Sequence, residues 1–145
     1  MYTDTWIVVA DGAKARLFKA HSNNHLIEEE TLVHPETREK ASEIVSDRQG
    51  RTFDRFGGGR HGAGSDEEIK DEELKKFARD ISGKLGELYN SNQLKQLIIA
   101  APPRFLGVLK DSLDHNLHKI LYHTVNKDLT TLSVEEIRGY LPSVL

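Results

Sequence analysis

The segment from Ser46 to Asp66, SDRQGRTFDRFGGGRHGAGSD, concentrates the residues best suited to bind phosphate. It holds six of the eleven glycines and four arginines, namely Arg48, Arg51, Arg55 and Arg60. One guanidinium group can donate two parallel hydrogen bonds to the oxygens of a phosphate, and glycines let a ligand approach the backbone closely. A long helix pattern follows at once, and helix N-terminal amides favour anions. We therefore expect a mobile loop that docks on a polyanion such as RNA, with an ordinary surface loop as the alternative.

The glycines of this segment also suggest chemistry performed by the backbone itself. The amide groups of Gly58 and Gly59 can orient a water molecule or an oxyanion without a catalytic side chain. Arg60 and His61 follow directly and would place a phosphate or a water beside them. These four residues are the candidates for any catalysis. Because no Gly-Lys pair or preceding strand accompanies the glycines, they do not form a nucleotide P-loop.

Acids and histidines elsewhere offer two weaker metal hypotheses. Asp11 ends the first predicted strand, and in folds of the ribonuclease H type such an Asp joins other acids to hold two Mg²⁺ ions. Asp128 is the best available partner, although Asp11 also suits the first position of an Asp-Gly turn and Asp128 an ordinary loop. His115 and His118 are three residues apart, but no carboxylate motif accompanies them. We predict no metal and no cofactor.

The composition predicts one soluble domain. The chain has 145 residues, 37% of them apolar and 30% charged, with no cysteine and a net charge of −3. It therefore has enough apolar side chains for one core and cannot form disulfides or thiolate metal sites. The sequence shows no signal peptide and no membrane span, which predicts a cytoplasmic protein. The acidic net charge argues against general polyanion binding, so the local arginines carry that hypothesis.

The first part of the chain predicts an antiparallel meander. Thr5–Ala10 is an apolar run typical of a buried strand. Asp11-Gly12 between this run and Ala15–Ala20 indicates a hairpin. A second turn leads to Leu26–Val33, whose poor alternation is typical of an edge strand. A short helix is then predicted within 36–44.

The rest of the chain predicts helices that alternate with strands. Over Asp66–Asn90 apolar residues recur at three- and four-residue steps, which indicates a helix. Gln96–Ala101 is a short apolar strand, and the apolar face over Pro103–Leu117 predicts the next helix. A last strand over Ile120–Val125 precedes a terminal helix, which opens with a capping box at 133–136.

This order of elements predicts an α/β fold. We expect a single domain over residues 1–145 with a mixed central sheet of about five strands. The meander is antiparallel, and the two later strands enter through helix crossovers. The helix over Asp66–Asn90 should pack Phe77, Ile81 and Leu85 on one face of the sheet.

Ordered motifs along nearly the whole chain resemble those of a known family. They are Trp6, Ala10-Asp11-Gly12, Arg16, His34-Pro35, Ser46-Asp47-Arg48, Gly57-Gly58-Gly59-Arg60-His61, the run from Ala101 to Gly107 that contains Arg104, and Lys127-Asp128-Leu129. The sequence resembles the bacterial host-attachment family, described as proteins required for attachment to host cells. Outside the glycine-rich loop, the resemblance makes Asp11, Arg104, Lys127 and Asp128 candidate functional residues.

That family is in turn similar to the middle domain of archaeal and eukaryotic peptide-chain release factors. The resemblance implies the fold of that domain, with a ribonuclease H-like topology, and a ribosome or structured RNA as the partner. Release factors carry Gly-Gly-Gln in a mobile loop before a long helix, and the Gln helps to position the hydrolytic water. In this chain Arg60 follows Gly58-Gly59. Hydrolysis of peptidyl-tRNA is therefore an open question, and a role without catalysis is favoured.

Two functions of different classes follow. One is a factor that associates with RNA or the ribosome in translation release or rescue, with Arg48, Arg51, Arg55 and Arg60 binding RNA. The other is a protein-interaction module without catalysis, which affects attachment to a host indirectly.

Overall fold

One five-stranded sheet organises the chain, with the strand order β3-β2-β1-β4-β5. The computed structural model describes residues 2–21, 25–34, 66–143 and 145. The strands are β1 (Tyr2–Ala10), β2 (Lys14–His21), β3 (Leu26–Val33), β4 (Gln96–Ala100) and β5 (Leu121–Val125). The helices are α1 (Asp66–Asn90), α2 (Pro103–Ser112), α3 (His115–Ile120) and α4 (Val134–Arg138). The predicted α/β fold with a mixed sheet is confirmed.

The first three strands form the predicted antiparallel meander. Trp6 to Ala10 of β1 pair with Lys19 to Ala15 of β2, and β2 pairs in turn with β3. β3 has no strand on its outer side among the described residues and exposes much of its length, as expected of an edge strand. In β1, Asp4 adopts a φ of 65°, where the register with β2 shifts.

The two later strands run parallel to β1. β4 pairs with β1, and β5 pairs with β4. Parallel neighbours require a crossover, which α1 supplies before β4 and which α2 and α3 supply before β5. The carboxyl ends of β1, β4 and β5 therefore meet at one edge of the sheet, which we call the carboxyl edge.

The two faces of the sheet carry separate cores. The larger core lies between the sheet and helices α1, α2 and α3, and it includes Phe77, Ile81 and Leu85 as predicted. The smaller core is built from Ile7, Val9 and Phe18 and from other side chains of that face. It is covered by α4 and the residues around it, including Leu129, Ile137 and Leu141.

α1 begins and ends at the predicted residues, and local signals mark its C-terminus. Asn92 adopts a φ of 65°, a left-handed conformation that asparagine tolerates better than most residues. The amide of Asn92 donates to the carbonyl of Tyr89 at 3.1 Å, and that of Gln93 donates to the carbonyl of Leu88 at 2.9 Å. These bonds satisfy carbonyls that the helix leaves without partners.

The single helix predicted over Pro103–Leu117 is wrong, because the structure divides it into α2 and α3. Asp114 lies between them in an extended conformation, and its side chain accepts a hydrogen bond from the amide of Leu117 at 2.9 Å. Asp is a strong N-cap, so it starts a new helix while Leu117 keeps the apolar spacing. At the C-terminus the capping box of Ser133 and Glu136 is present, but α4 ends at Arg138, and buried Leu141 lies beyond it. The helix predicted within 36–44 lies outside the described residues.

Within the described ranges, the model contains no helix of the length and apolarity required to cross a membrane.

Candidate functional site

The carboxyl edge gathers the candidate residues that the structure describes. Asp11 follows β1, the Pro102-Pro103-Arg104 segment follows β4, and Lys127 and Asp128 follow β5. In open sheets with parallel strands, this edge is the usual place for a binding site because the loops there converge. The topology thus brings family-motif residues together from three distant parts of the sequence.

Asp11 uses both carboxylate oxygens. Its Oδ1 accepts hydrogen bonds from the amides of Ala13 at 2.8 Å and Lys14 at 2.9 Å, which shapes the turn between β1 and β2. Its Oδ2 accepts from the hydroxyl group of Thr130 at 3.2 Å. Gly12 next to it lies under α1, since a Cβ there would come within 2.7 Å of Leu74 Cδ2. The Asp-Gly turn therefore positions both the sheet edge and the helix.

Asp128 meets Asp11 through Thr130. Asp128 Oδ1 accepts from the Thr130 amide at 2.9 Å and from the Thr130 hydroxyl at 2.6 Å. One hydroxyl carries one proton, so the two carboxylates share a single donor, with the shorter contact to Asp128. Because Thr130 is buried and binds both acids, this arrangement fastens the chain after β5 to the turn after β1.

Sequence reasoning missed Thr130, although a signal for it exists. In an Asx turn, the side chain of an Asp accepts a hydrogen bond from the backbone amide two residues later, and Asp128-Leu129-Thr130 fits this pattern. Only the tertiary structure brings Asp11 to the same hydroxyl.

Arg16 links the chain after β5 to the edge strand β3. Its Nη1 donates to the carbonyl oxygens of Thr130 at 3.0 Å and Leu132 at 2.8 Å. Its Nε and Nη2 donate to the two carboxylate oxygens of Glu28 on β3 at 3.1 and 3.0 Å. The pKa of Glu28 lies below its ordinary value, mainly because Arg16 donates a hydrogen bond to the carboxylate. Burial acts in the opposite direction and raises the pKa, while a hydrogen bond from Thr31 lowers it further.

Arg104 and Lys127 lie at other places on this edge. Arg104 stands in the first turn of α2 and forms an ion pair with Asp71 of α1, so both helices begin at the carboxyl edge. The Nζ of Lys127 lies 5.3 Å from the ring centroid of Tyr140. Neither cation contacts the two acids joined by Thr130.

His34 is the other unusual group near this edge. Its backbone amide donates to the carbonyl of Ala13 at 2.9 Å, and its ring stacks on Phe77 with centroids 5.2 Å apart. Phe77 in turn stacks on Phe105 of α2 at 6.0 Å. The side chain of His34 is buried, and neither ring nitrogen has a hydrogen-bond partner in the described part of the chain. Burial of such a polar ring costs free energy.

The described residues supply no third ligand for either hypothetical metal site. Among the described residues, no group of three or more His, Cys, Asp or Glu side chains is arranged to hold a metal ion. His115 and His118 both lie exposed on α3, and His123 is exposed on β5. Asp11 and Asp128 instead share Thr130.

The arginine and glycine candidates lie outside the described residues. They are Arg48, Arg51, Arg55, Gly58, Gly59, Arg60 and His61, and the mobility expected for residues 46–64 falls in the same range. The chain leaves the described part at His34 and re-enters it at Asp66. Both flanks belong to the carboxyl edge, since His34 binds Ala13 and α1 contacts Gly12 and Arg104.

Comparisons with known proteins include one partial relative and, among the solved structures that are similar, two archaeal proteins. The uncharacterized protein RP470 of Rickettsia prowazekii (strain Madrid E) is 35% identical over 71 residues, which cover 48% of this chain and 47% of that protein. A solved archaeal protein is 19% identical with a TM-score of 0.47, and the match covers 94% of this chain and 36% of that one. The crystal structure of an archaeal translation termination factor, aRF1, is 19% identical with a TM-score of 0.46, covering 91% and 34%.

A family model matches most of the chain. The match runs over residues 6–141, from Trp6 in β1 to Leu141 after α4, and so spans both cores and the whole carboxyl edge. The chain therefore belongs to the family described as "Protein required for attachment to host cells".

Proposed function

We propose that this chain is a cytoplasmic factor that associates with RNA or the ribosome and acts in translation release or rescue. In this proposal Arg48, Arg51, Arg55 and Arg60 bind phosphate groups. The similarity of the host-attachment family to the release-factor middle domain supports this function, as does the geometry of the carboxyl edge.

The observation that carries the proposal is the place where the arginine-rich segment joins the fold. His34 and Asp66 flank residues 35–65, and their surroundings connect to the same edge of the sheet through Ala13, Gly12 and Arg104. The segment that contains the four arginines therefore leaves and rejoins the described chain at the edge where α1 and α2 begin. The N-terminus of α2 lies at this edge, and helix N-termini favour anions.

The proposal describes binding without catalysis. Release factors use the Gln of Gly-Gly-Gln, and in this chain Arg60 stands after Gly58-Gly59. Asp11 and Asp128 both bind Thr130, and their hydrogen bonds stabilise the turn and the chain after β5. Both carboxylate oxygens of Asp11 are thus engaged within the fold.

Ribosome co-sedimentation at two salt concentrations tests the proposal. We expect the full chain to pellet with ribosomes at about 50 mM salt and to be released at about 200 mM, because affinity carried by phosphate contacts falls steeply with salt. Replacing Arg48, Arg51, Arg55 and Arg60 by Gln should abolish pelleting. The matched control replaces four exposed cations elsewhere by Gln, namely Lys75, Lys76, Arg79 and Lys95. Absence of pelleting at low salt, or equal loss in the control, would refute the proposal.

The surface of β3 favours the second candidate, a protein-interaction module. Ile27 and Val33 are 39% and 41% exposed on this edge strand, and exposed apolar side chains on an edge invite a protein partner. A protein complex of this kind would persist at high salt and would weaken when Ile27 and Val33 are replaced by Thr. The same two substitutions should leave ribosome pelleting unchanged if the RNA proposal is correct.

A further inference from the structure

β3 forms an outer edge of the sheet along the eight residues Leu26–Val33. Its backbone pairs with β2 on one side. In the described part of the chain, no other backbone hydrogen bond reaches these eight residues. Because alternate residues of an edge strand direct their amide and carbonyl groups away from the sheet, this edge offers a row of unpaired donors and acceptors. Such a row is what an added strand requires.

The usual protection of an edge strand is weak in β3. Natural edge strands are commonly short, or carry lysine or proline, and these features prevent pairing with other chains. β3 exceeds the usual strand length of about five or six residues, and its sequence LIEEETLV contains neither lysine nor proline. One protective feature is present, since Glu28 and Glu30 pair with consecutive residues of β2 and Glu29 between them forms a bulge. The bulge divides the edge into two stretches that can each still pair.

Two apolar side chains lie exposed near the ends of this edge. Ile27 and Val33 are two of the four large apolar or aromatic side chains that are exposed in the described residues. Ile27 pairs with Lys19, which pairs with Trp6 on the face of the larger core. Val33 follows Leu32, which packs against the same core, and so lies on the other face. The side chains of an added strand also alternate between the two faces, so one strand can cover both residues.

The three glutamates of β3 differ in their partners. Glu28 accepts two hydrogen bonds from Arg16, and a carboxylate oxygen of Glu30 lies 3.0 Å from Nζ of Lys84. Glu29 is exposed, and its side chain has no hydrogen bond or ion pair among the described residues. The edge therefore carries one negative charge without a partner, between its two exposed apolar side chains. A strand with a cation opposite this charge and apolar residues on either side would complement it.

A second copy of the chain complements this edge less well than a basic strand does. An antiparallel pair of β3 strands that sets Ile27 against Val33 also sets the two Glu30 residues against each other. Like charges directly opposite each other destabilise a pair of strands. In the same register Glu29 lies opposite Thr31 and gains no cation. Charge complementarity therefore favours a basic strand from another protein.

We propose that an extended basic segment of another protein adds to the outer edge of β3 as a sixth strand. Main-chain hydrogen bonds hold this segment, a lysine or arginine pairs with Glu29, and apolar side chains cover Ile27 and Val33. The interaction goes beyond the proposed function, since it requires neither RNA nor the arginine-rich segment. It gives the second candidate function, a protein-interaction module, a mode of binding and a chemical class of partner.

Fluorescence anisotropy with a synthetic peptide tests the charge pairing. The probe is a labelled peptide of alternating valine and threonine with one central lysine, roughly eight residues long, titrated with the full chain. Changing the central lysine of the peptide to glutamate should weaken binding about fivefold, because a like charge then lies beside Glu29. Glu29→Lys should reverse this preference. Glu87→Lys makes the same change in net charge on the exposed face of α1 and should leave the preference unchanged.

Two N-methylated peptides test strand addition itself. Each carries a methyl group on every second backbone amide, and the two peptides differ in which set of amides is blocked. One set faces β3 in the proposed pairing and the other set faces solvent. One peptide should therefore lose binding, while the other binds like the unmodified peptide. Equal behaviour of the two peptides would show that main-chain pairing does not hold the segment.

The remaining outcomes each count against the proposal or separate it from the RNA function. Failure of the full chain to bind the lysine peptide, or equal effects of Glu29→Lys and Glu87→Lys, would overturn it. Self-association of the chain that Ile27→Lys abolishes would assign this edge to a second copy and would also overturn it. Ribosome pelleting of Glu29→Lys should match that of the unaltered chain, because the proposed RNA contacts lie elsewhere. Each proposal can therefore fail while the other stands.

Discussion

The hydroxyl group of Thr130 lies 3.2 Å from Oδ2 of Asp11, although the two residues are 119 positions apart in the sequence. The same hydroxyl lies 2.6 Å from Oδ1 of Asp128. One buried threonine therefore joins the turn after β1 to the chain after β5. The acids of this edge resemble a pair of metal ligands in the sequence, but in the structure they bind a protein donor.

Thr130→Val tests this connection. Valine has nearly the shape of threonine but no hydroxyl, so Asp11 and Asp128 lose their shared donor. We expect the free energy of unfolding to fall by about 1 kcal/mol, since both carboxylates keep access to water. Thr131→Val changes an exposed neighbour and is the control. Urea unfolding followed by circular dichroism measures both, and equal stability of the two variants would contradict a structural role for the hydroxyl.

Glu28→Gln tests the pH dependence of stability. In the folded protein the pKa of Glu28 lies below 4.5, mainly because Arg16 donates a hydrogen bond to it. The folded state thus takes up the proton less readily than the unfolded chain. The ion pair between Glu28 and Arg16 therefore stabilises the folded state fully at pH values above the pKa that Glu28 has in the unfolded chain. This stabilisation is lost as the pH falls through the folded pKa.

We therefore expect Glu28→Gln to lower stability at pH about 7 and to differ less from the unaltered protein at pH about 3. The control is Glu29→Gln on the same strand, whose side chain is exposed and has no partner among the described residues. Urea unfolding at both pH values measures the difference. An effect of equal size at the two pH values would show that the ion pair with Arg16 is not its cause.

His34→Phe should stabilise the protein. The ring of His34 is buried against Phe77, and its two nitrogens have no hydrogen-bond partner in the described chain. Phenylalanine keeps the stacking and removes the cost of burying these nitrogens, so we expect a gain of about 1 kcal/mol in the free energy of unfolding. His123→Phe on the exposed surface of β5 is the control. A loss of stability in His34→Phe would indicate that a partner for the ring lies in the rest of the chain.

Gly58→Val tests whether the glycine-rich segment performs chemistry. If backbone amides of Gly58 and Gly59 acted on peptidyl-tRNA, a β-branched side chain would block access to them and restrict the backbone. Our proposal of binding without catalysis predicts that neither the unaltered protein nor Gly58→Val releases peptide from stalled ribosomes. Release by the unaltered protein that this substitution abolishes would establish catalysis, with thermal unfolding as the control for an intact fold.

Local sequence signals predicted much of the fold. The periodicity of Asp66–Asn90 and the Asp11-Gly12 turn both led to the observed elements, because helix faces and tight turns depend on residues a few positions apart. The prediction of a single helix over Pro103–Leu117 was wrong because the apolar spacing continues across two helices. Leu117 keeps the spacing of α2, while the capping side chain of Asp114 starts α3.

The sequence by itself determined the family, the order of the elements and the arginine-rich segment, since each of these is written in adjacent residues. Tertiary structure alone decided how distant residues meet. Three contacts depend on the assembled sheet: the sharing of Thr130 by Asp11 and Asp128, the hydrogen bonds of Arg16 to Glu28 and Leu132, and the stacking of His34 on Phe77. Such contacts join positions whose separation carries no periodic signal, so only the pairing of all five strands and the packing of α1 on the sheet bring them together.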